Sequence, residues 1–468
     1  MNKFMKIRCI QNVKFDFEKV SPTLFSLIIL TGFLIRYSFI GHESLWPDEA
    51  LYMFIGKNLS LNPLEIIDVN GRPFFQNPPL FMYLLSIIFR LTGGGSIKIA
   101  HLVTVLMDTG TIILIGYIGS FLYNKKVGLL SAAFLALNPL HVWISTRILT
   151  DVPLVFFIYL ALYFLIRQKN AFFYLFSFLS VTTKYPAATI FILPFVNKKT
   201  ILRSPRSWLI IYLLVISGIL FFISFRFNFQ NYWMSYFSGF ISFPDFKEVY
   251  KESIFFIDPV VFIFFLIGIG TALKHKDISP ILMWVVIFGT VRFFLTWIAF
   301  RVSRYTLPLY PGILMFSAYG VFKSLDFLKN RLPKRTMSIS IIFSAMILYI
   351  FAVYSIRGYA VTDINSQTFV GYKQAGEFLM TQDSNFTILT PSPQQIKYYA
   401  PKFNVYDLEQ NFTTADVEQL IKDKKIQLVS IDKWSPHQPD WCRNYSWTAH
   451  GYRPVYNNKN IVIFKVMD

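Results

Sequence analysis

Two adjacent carboxylates, Asp48 and Glu49, follow directly after the first long apolar segment of the chain, in the stretch Trp46-Pro47-Asp48-Glu49. Only 15% of the residues are charged, whereas 54% are hydrophobic. Because acidic residues are scarce and costly in such a chain, a pair at a membrane boundary indicates a site of chemistry. A structural alternative is a helix that begins at Pro47, with both acids favouring the dipole of its first turn. The two interpretations are compatible.

More polar residues follow in later loops that the predicted topology places on the same, outer side of the membrane. They are His141, Arg147, Asp151, Lys184, Tyr185, Arg301, Arg304 and Tyr305. A transporter more often holds its ionisable groups near the bilayer midplane, on broken helices. Acids and bases gathered at an outer boundary suit a reaction on a lipid-borne substrate whose head group lies at that surface.

A sugar carried on a polyprenyl phosphate would need both kinds of residue. Its phosphate leaving group gains charge during transfer and needs Arg, Lys or Tyr donors. The acceptor hydroxyl has a high pKa and needs a carboxylate base near the anomeric carbon. One carboxylate that acts directly on the acceptor implies a single displacement with inversion.

The composition predicts a polytopic membrane protein, since the mean hydropathy is +0.46 over 468 residues. Segments of about 20 apolar residues, the length that a spanning helix needs, predict about eleven transmembrane helices. The clusters of Lys and Arg all fall on one side of these segments, which places the N-terminus in the cytoplasm. Membrane topology therefore explains the formal charge of +19 without a nucleic-acid partner.

The sequence divides into two predicted domains. Residues 1–356 form a transmembrane domain with a long first outer loop, residues 42–96. Within this loop, residues 78–91 are apolar but too short to span, which predicts an interfacial helix. Residues 357–468 are more polar, and their alternating and helical patterns predict a small α/β domain outside the cytoplasm. The predicted fold class is a mainly α polytopic membrane protein with this α/β domain at its C-terminus.

Five motifs occur in order over about residues 20–322: Trp46-Pro47-Asp48-Glu49-Ala50-Leu51-Tyr52, Asn77-Pro78-Pro79-Leu80, Arg147-Ile148-Leu149-Thr150-Asp151-Val152-Pro153, Thr183-Lys184-Tyr185-Pro186 and Arg304-Tyr305-Thr306-Leu307-Pro308-Leu309-Tyr310-Pro311. Together they resemble the signatures of the C-type glycosyltransferase superfamily, in particular its group of protein O-mannosyltransferases and lipid A aminoarabinose transferases. The resemblance implies an inverting glycosyltransferase in the cell membrane that uses a monosaccharide linked to polyprenyl or dolichyl phosphate.

By this resemblance, Asp48 is the catalytic base, Glu49 is its neighbour in the acceptor site, and Asp151 binds the acceptor or orients the first loop. The resemblance and the outer-face placement together propose a set of residues for binding the donor phosphate or other parts of the substrates: Lys184, Tyr185, Arg304, Tyr305, Asn77, Arg147, His141 and Arg301. In the family a Lys precedes Pro-Pro, where this chain has Asn77. Either the phosphate site relies more on Lys184 or an arginine, or the donor is held differently.

Each of these residues also has a structural interpretation. Asp151 could cap a helix, Lys184 could extend to the membrane interface, and Arg304 could be an ordinary boundary arginine. Within the spans, we expect Arg36 to extend towards the interface. We expect Asp108 to pair with a neighbouring helix and to take no part in catalysis.

The expected partners are a lipid-linked sugar donor, a glycan, lipid or protein acceptor, and membrane lipids. Relatives that use a divalent cation carry Asp-x-Asp in the second outer loop, where this chain offers only Asp151. Since hard cations need more oxygen ligands than one carboxylate supplies, we expect no metal cofactor. The main alternative function is a polytopic lipid or sugar transporter without transferase activity. A non-catalytic assembly subunit is the third, and it would tolerate substitution in the acidic loop.

Overall fold

The protein is mainly helical with one small β-sheet, which agrees with the predicted class. The computed structural model describes residues 22–193, 255–275, 280–281, 284–289, 291, 303–382, 386–433 and 438–467. One predicted site residue, Arg301, lies outside these ranges.

Eight α-helices and a 3₁₀ helix at Tyr185–Ile192 form residues 22–193. The α-helices are α1 (Pro22–Tyr37), α2 (Pro47–Leu61), α3 (Leu80–Thr92), α4 (Ile97–Leu122), α5 (Lys125–Leu137), α6 (Pro139–Ser145), α7 (Asp151–Ile166) and α8 (Asn170–Val181). Further along the chain come α9 (Pro259–Lys274), a 3₁₀ helix at Ser303–Leu309, α10 (Tyr310–Arg331) and α11 (Thr336–Ser366).

Two helical segments of the described chain are long and apolar enough to cross a membrane, Ile97–Leu122 and Pro333–Met380. The pair α5 and α6, bent by 57° at Asn138, would make a third. Shorter apolar helices of 10–17 residues include α1, α7, α8 and α9. These helices support a membrane protein, whereas the eleven predicted spans, several of which fall on undescribed residues, stay a prediction.

The first outer loop contains two helices that pack against each other. The predicted interfacial segment corresponds to α3, which lies so close to α2 that a Cβ on Gly56 would come within 3.0 Å of the Leu85 Cβ. Arg90 of α3 donates from Nε to the Ser60 carbonyl at 2.7 Å. The start of α3 is held as well, because Leu80 donates its N–H to the carbonyl of Thr182 at the end of α8. The loop is therefore a folded platform that carries Asp48 at one end.

The C-terminal part forms a five-stranded sheet in the order β2-β1-β3-β5-β4. Strands β1 to β3 are parallel, and β5 pairs antiparallel with both β3 and β4. The elements are α12 (Val370–Met380), β1 (Thr387–Thr390), α13 (Pro393–Tyr399), β2 (Asn404–Asp407), α14 (Thr414–Lys424), β3 (Leu428–Asp432), α15 (Trp441–Asn444), β4 (Tyr452–Asn457) and β5 (Ile461–Val466). Adjacent residues of one strand enter different cores, since Ile388 packs with α12 and α13 and Leu389 with α14.

The last long helix continues past the predicted domain boundary at residue 356. Helix α11 extends to Ser366, and the sheet domain begins only after it. The polar residues of this stretch are accommodated in the helix, since Thr362 is buried and donates to the Gly358 carbonyl at 2.7 Å, while Asp363 is exposed.

Arg36 is fully buried, contrary to the expectation that it extends to the interface. Its Nε donates to Asp108 Oδ2 at 2.7 Å, and its Nη1 donates to the carbonyl of Ala136 at 2.7 Å. The other carboxylate oxygen of Asp108 lies 2.7 Å from Nδ1 of His141. A buried arginine keeps its charge only with such partners, so this cluster ties α1, α4, α5 and α6 together.

Helices α9 and α10 cross at two glycines. A Cβ on Gly268 would lie 2.0 Å from the Phe316 carbonyl oxygen, and one on Gly320 would lie 2.0 Å from that of Phe264. Small residues that let helix backbones approach closely are typical of packing within membranes. The crossing holds α10, whose first turn follows the 3₁₀ helix at Ser303–Leu309.

Substituting Gly268→Ala should destabilise the protein by about 1–3 kcal/mol, the usual cost of overpacking, because the methyl group would collide with backbone. Gly270→Ala is the matched control, since nothing lies within 4 Å of a Cβ there. Thermal unfolding of both variants in one detergent measures the difference. Equal melting temperatures for the two would contradict the close crossing.

Candidate active site

Asp48 lies in the first turn of α2, and its side chain is 44% exposed. Arg304, in the 3₁₀ helix before α10, donates from Nη2 to Asp48 Oδ2 at 2.7 Å and to the Tyr305 hydroxyl at 3.3 Å. The guanidinium of Arg304 also stands over the rings of Tyr305 and Trp46, at 5.2 and 5.6 Å from their centroids. An accessible carboxylate thus meets an arginine enclosed by two aromatic rings.

A second ion pair also contacts Tyr305. Asp151 is the first residue of α7, and Lys184 immediately precedes the 3₁₀ helix at Tyr185–Ile192. The Lys184 Nζ donates to Asp151 Oδ1 at 2.6 Å, with both side chains nearly buried. The same Nζ lies 4.7 Å from the centroid of the Tyr305 ring. The Tyr305 ring is therefore in contact with two cations, Arg304 paired with Asp48 and Lys184 paired with Asp151.

The elements that carry these residues are tied to one another. Tyr159 of α7 donates its hydroxyl proton to the Pro308 carbonyl at 3.0 Å and accepts the N–H of Gly312 at 3.0 Å. This contact fixes the 3₁₀ helix of Arg304 against the helix of Asp151. Tyr185 donates to the Phe75 carbonyl at 3.2 Å and so holds the first outer loop beside Lys184.

Tyr52 is a site residue that the sequence analysis missed. Asn77 donates from Nδ2 to the Tyr52 hydroxyl at 2.9 Å, so its amide is used inside the site. Burial, and after it the charge of Asp48, raise the pKa of Tyr52 well above its usual value. Tyr52 therefore stays a neutral hydrogen-bonding group. Its position four residues after Asp48, on the same face of α2, was the available signal.

Glu49 was expected beside the acceptor, but its side chain is fully buried. Its Oε2 accepts the N–H of Trp46 at 2.8 Å and Nη1 of Arg147 at 3.1 Å, while Oε1 accepts the N–H of Ile148 at 2.7 Å. Burial by itself raises the pKa of Glu49, but the nearby Arg147 and His101 outweigh it and lower that pKa to about 2. Glu49 is thus an ionised anchor whose carboxylate faces the interior of the protein and not the exposed side of the site.

Arg147 was expected to bind substrate, but it too is buried and engaged with the protein. Besides Glu49, it donates from Nη1 to the Ser44 carbonyl at 2.7 Å and from Nη2 to the Asn365 carbonyl at the end of α11. Its guanidinium lies 4.9 Å from the centroid of the Trp46 ring. Because a buried charge needs this many partners, Arg147 serves the architecture of the first outer loop.

His141 is the third expected site residue that the structure places elsewhere. It lies in α6, fully buried, with Nδ1 against Asp108 in the cluster with Arg36. Its distance from the exposed carboxylate is a consequence of its position in the helix, three residues after the cap Asn138. The sequence showed its side of the membrane but not the direction of its side chain.

The C-terminal domain binds directly to the residues that precede Trp46. Phe369 donates its N–H to Ser44 Oγ at 2.7 Å, and Gln395 of α13 donates from Nε2 to the Leu45 carbonyl at 2.9 Å. Tyr399 donates its hydroxyl proton to the carbonyl of Glu43 at 2.6 Å. The segment that leads into α2 is therefore held by the C-terminal domain.

Comparison with known proteins supports the resemblance. The family described as dolichyl-phosphate-mannose-protein mannosyltransferase matches residues 76–225. Comparison with the curated proteins gave no match. Among solved structures, ArnT from Cupriavidus metallidurans aligns with a TM-score of 0.63 at 12% identity, over 95% of this chain and 98% of that one.

Two other solved structures also align. The Archaeoglobus fulgidus oligosaccharyltransferase has a TM-score of 0.62 at 10% identity, over 89% of this chain and 70% of that one. The arabinofuranosyltransferase AftD from Mycobacteria has a TM-score of 0.53 at 11% identity, over 96% of this chain and 42% of that one.

The chain has the fold of the C-type glycosyltransferases.

This fold joins residues that the family match separates. The matched range contains Asn77, Asp151 and Lys184 but neither Asp48 nor Arg304. In the structure these two meet the others through contacts around Tyr52 and Tyr305, so the C-type glycosyltransferase fold gathers both groups in one outer site.

Substituting Glu49→Gln should strongly lower stability, because it leaves the buried Arg147 without its counter-charge. Breaking a buried ion pair costs about 3–5 kcal/mol, whereas an exposed pair contributes about 0–1 kcal/mol. Glu43→Gln is the matched control, since Glu43 is 46% exposed, lies in the same segment and pairs with Lys373. Melting temperatures in detergent compare the two variants. A smaller loss for Glu49→Gln than for Glu43→Gln would show that Glu49 is no anchor.

Proposed function

We propose that the protein is an inverting glycosyltransferase, which moves a monosaccharide from a polyprenyl- or dolichyl-phosphate carrier to an acceptor hydroxyl at the outer face of the membrane. The observation that carries this proposal is the exposed carboxylate of Asp48 beside the cationic, aromatic cluster of Arg304, Tyr305 and Lys184. The fold supports it, because solved relatives include ArnT bound to undecaprenyl phosphate and an Archaeoglobus fulgidus oligosaccharyltransferase in complex with dolichol-phosphate.

In the proposed reaction the acceptor oxygen forms a bond to the anomeric carbon of the sugar, and the bond from that carbon to the phosphate oxygen breaks. Asp48 takes the proton of the acceptor hydroxyl and later gives it to water. The bonding electrons leave with the polyprenyl phosphate, whose negative charge rises by one. Arg304 and the Tyr305 hydroxyl stabilise this developing charge, as hydrogen-bond donors already in position.

Lys184 and Asp151 have a different part in this proposal. Their contact is nearly buried, so the ammonium supplies a fixed positive potential behind Tyr305 and Asp151 keeps it in place. The Asn77 amide, which replaces the family's lysine, positions Tyr52 in this proposal and brings no charge to the phosphate. Arg304 then becomes the main cation for the donor.

The orientation of the protein follows from the proposed reaction. The N-terminus is cytoplasmic, the chain crosses the membrane several times, and the sheet domain lies outside. Because this domain forms hydrogen bonds with residues 43–45, we propose that it shapes the acceptor side of the site. The identity of the acceptor as protein, lipid or glycan would then depend on the surface between α13 and the exposed face of Asp48.

Substituting Asp48→Asn should abolish transfer, with a loss of at least about 100-fold, because it removes the base at nearly constant shape. The assay measures sugar transfer from radiolabelled polyprenyl-phosphate sugars in membranes that contain the wild type or the variant. Glu65→Gln is the matched control, since Glu65 is an exposed acid of the same loop.

Equal expression and equal melting temperature exclude misfolding as the cause of a loss. Transfer by Asp48→Asn at the wild-type rate would remove Asp48 from the mechanism. A wild type that transfers no sugar from any of these donors but moves them across liposome membranes would be a transporter.

We also propose that transfer needs no divalent cation. Both carboxylates already have a cation as partner, because Asp48 is paired with Arg304 and Asp151 with Lys184. Within the described residues, no three His, Cys, Asp or Glu side chains form a group that could hold a metal ion.

Transfer by purified protein should therefore keep its rate in excess EDTA. Adding Mg²⁺ or Mn²⁺ after EDTA treatment should not raise it, since the pairing cations already neutralise both carboxylates. Loss of transfer in EDTA, with recovery on adding one of these ions, would contradict the proposal.

A further inference from the structure

Arg304 has two uses that exclude each other. Its Nη2 is bonded to Asp48, the carboxylate that must accept a proton, yet the proposed reaction needs the same guanidinium at the donor phosphate. The Asp48 oxygen that accepts this hydrogen bond has fewer lone pairs free for the proton of the acceptor hydroxyl. The arrangement without substrate is therefore one in which the base is restrained.

We propose that the donor phosphate takes Arg304 away from Asp48, so that binding of the donor is what releases the base. This inference rests on the proposed function. It makes Arg304 a catalytic residue with two successive partners, first the base and then the phosphate. It also predicts ordered action, in which the acceptor cannot be deprotonated before the donor is bound.

The geometry favours Arg304, and not Lys184, as the cation that changes partner. The contact from Arg304 reaches Asp48 through one nitrogen only, and the pair is open on the side of Asp48, which is 44% exposed, while Arg304 is 13% exposed. By contrast, the Lys184 and Asp151 side chains are only 7% and 5% exposed. An open pair with a single hydrogen bond is cheaper to separate than a buried one.

Arg304 also has an N–H group that takes no part in the contact with Asp48. Among the described residues its buried Nε has no hydrogen-bond partner, and guanidinium matches phosphate oxygens with two parallel N–H groups. The rings of Trp46 and Tyr305 lie close to the guanidinium group and would stay in contact with it as it moves from Asp48 to the phosphate. A phosphate can therefore offer Arg304 a better contact than Asp48 does.

The exchange also resets the enzyme. After transfer, the carrier phosphate has gained a negative charge and holds Arg304, while Asp48 carries the acceptor's proton. When the carrier leaves, Asp48 gives that proton to water, and Arg304 returns to the carboxylate and forms their hydrogen bond again. One residue thereby links donor binding, release of the base and recovery of the starting state.

The test measures the reactivity of Asp48 towards a carbodiimide with an amine, a reaction that begins from the protonated carboxyl group. Wild-type protein in nanodiscs is labelled at one pH without additions, with undecaprenyl phosphate or with inorganic phosphate, and the modified residues are quantified by mass spectrometry. Native mass spectrometry measures binding of undecaprenyl phosphate in parallel. Glu418, an exposed acid of α14, is the internal control.

Undecaprenyl phosphate should raise labelling of Asp48 about threefold, because the carboxylate loses its contact with Arg304 and becomes open to the reagent. Labelling of Glu418 should not change. In Arg304→Met, and in Arg304→Gln as a second variant in case the first fails to fold, labelling of Asp48 should be high without phosphate and insensitive to it. A rise with inorganic phosphate as well would support the exchange and show that the phosphate group alone suffices.

Two results would overturn the inference. If undecaprenyl phosphate binds but labelling of Asp48 stays constant or falls, the exchange is wrong, while the proposed function stands. If undecaprenyl phosphate does not bind at all, the proposed carrier is wrong and the exchange fails with it.

Discussion

The buried ion pair between Glu49 and Arg147 is the contact on which the outer site depends. Arg147 donates to the carbonyl of Ser44 before α2 and to that of Asn365 in the last turn of α11, while Glu49 accepts the N–H groups of Trp46 and Ile148. Three distant parts of the chain therefore meet at one charge pair. Because an unpaired charge is so costly at a buried position, moving one of these parts away would break the contacts of all three.

This anchor explains how two adjacent acids have different parts. On a helix, neighbouring residues point about 100° apart, so when Glu49 turns inwards Asp48 is directed towards the open side. Trp46 lies between the two arginines, one in the buried network and one in the exposed pair. The buried network around Glu49 thus holds the start of α2 in place, whereas we propose that the nearby ion pair of Asp48 with Arg304 opens and forms again.

The same principle recurs deeper in the protein. Arg36, Asp108 and His141 satisfy one another inside the helical bundle, and Lys184 and Asp151 do so at its outer edge. Among the carboxylates of Asp48, Asp108 and Asp151, that of Asp48 alone is exposed to a large extent. Buried ion pairs hold the helices together, and the exposed carboxylate of Asp48 is where we propose that chemistry occurs.

The sequence by itself determined the class of fold, the short helix in the first outer loop, and the acids and bases from separate motifs, because these are properties of local composition and order. It predicted Asp48, Arg304, Asp151 and Lys184 for one face, and the structure joins them in two ion pairs, Asp48 with Arg304 and Asp151 with Lys184. It did not determine which side chains turn inwards. Glu49, Arg147 and His141 looked like site residues, Arg36 looked exposed, and Tyr52 looked ordinary. Only the tertiary structure decided these cases, because burial and pairing depend on helices that are distant in the chain, such as α2, α6 and α11, and no local pattern encodes their contact.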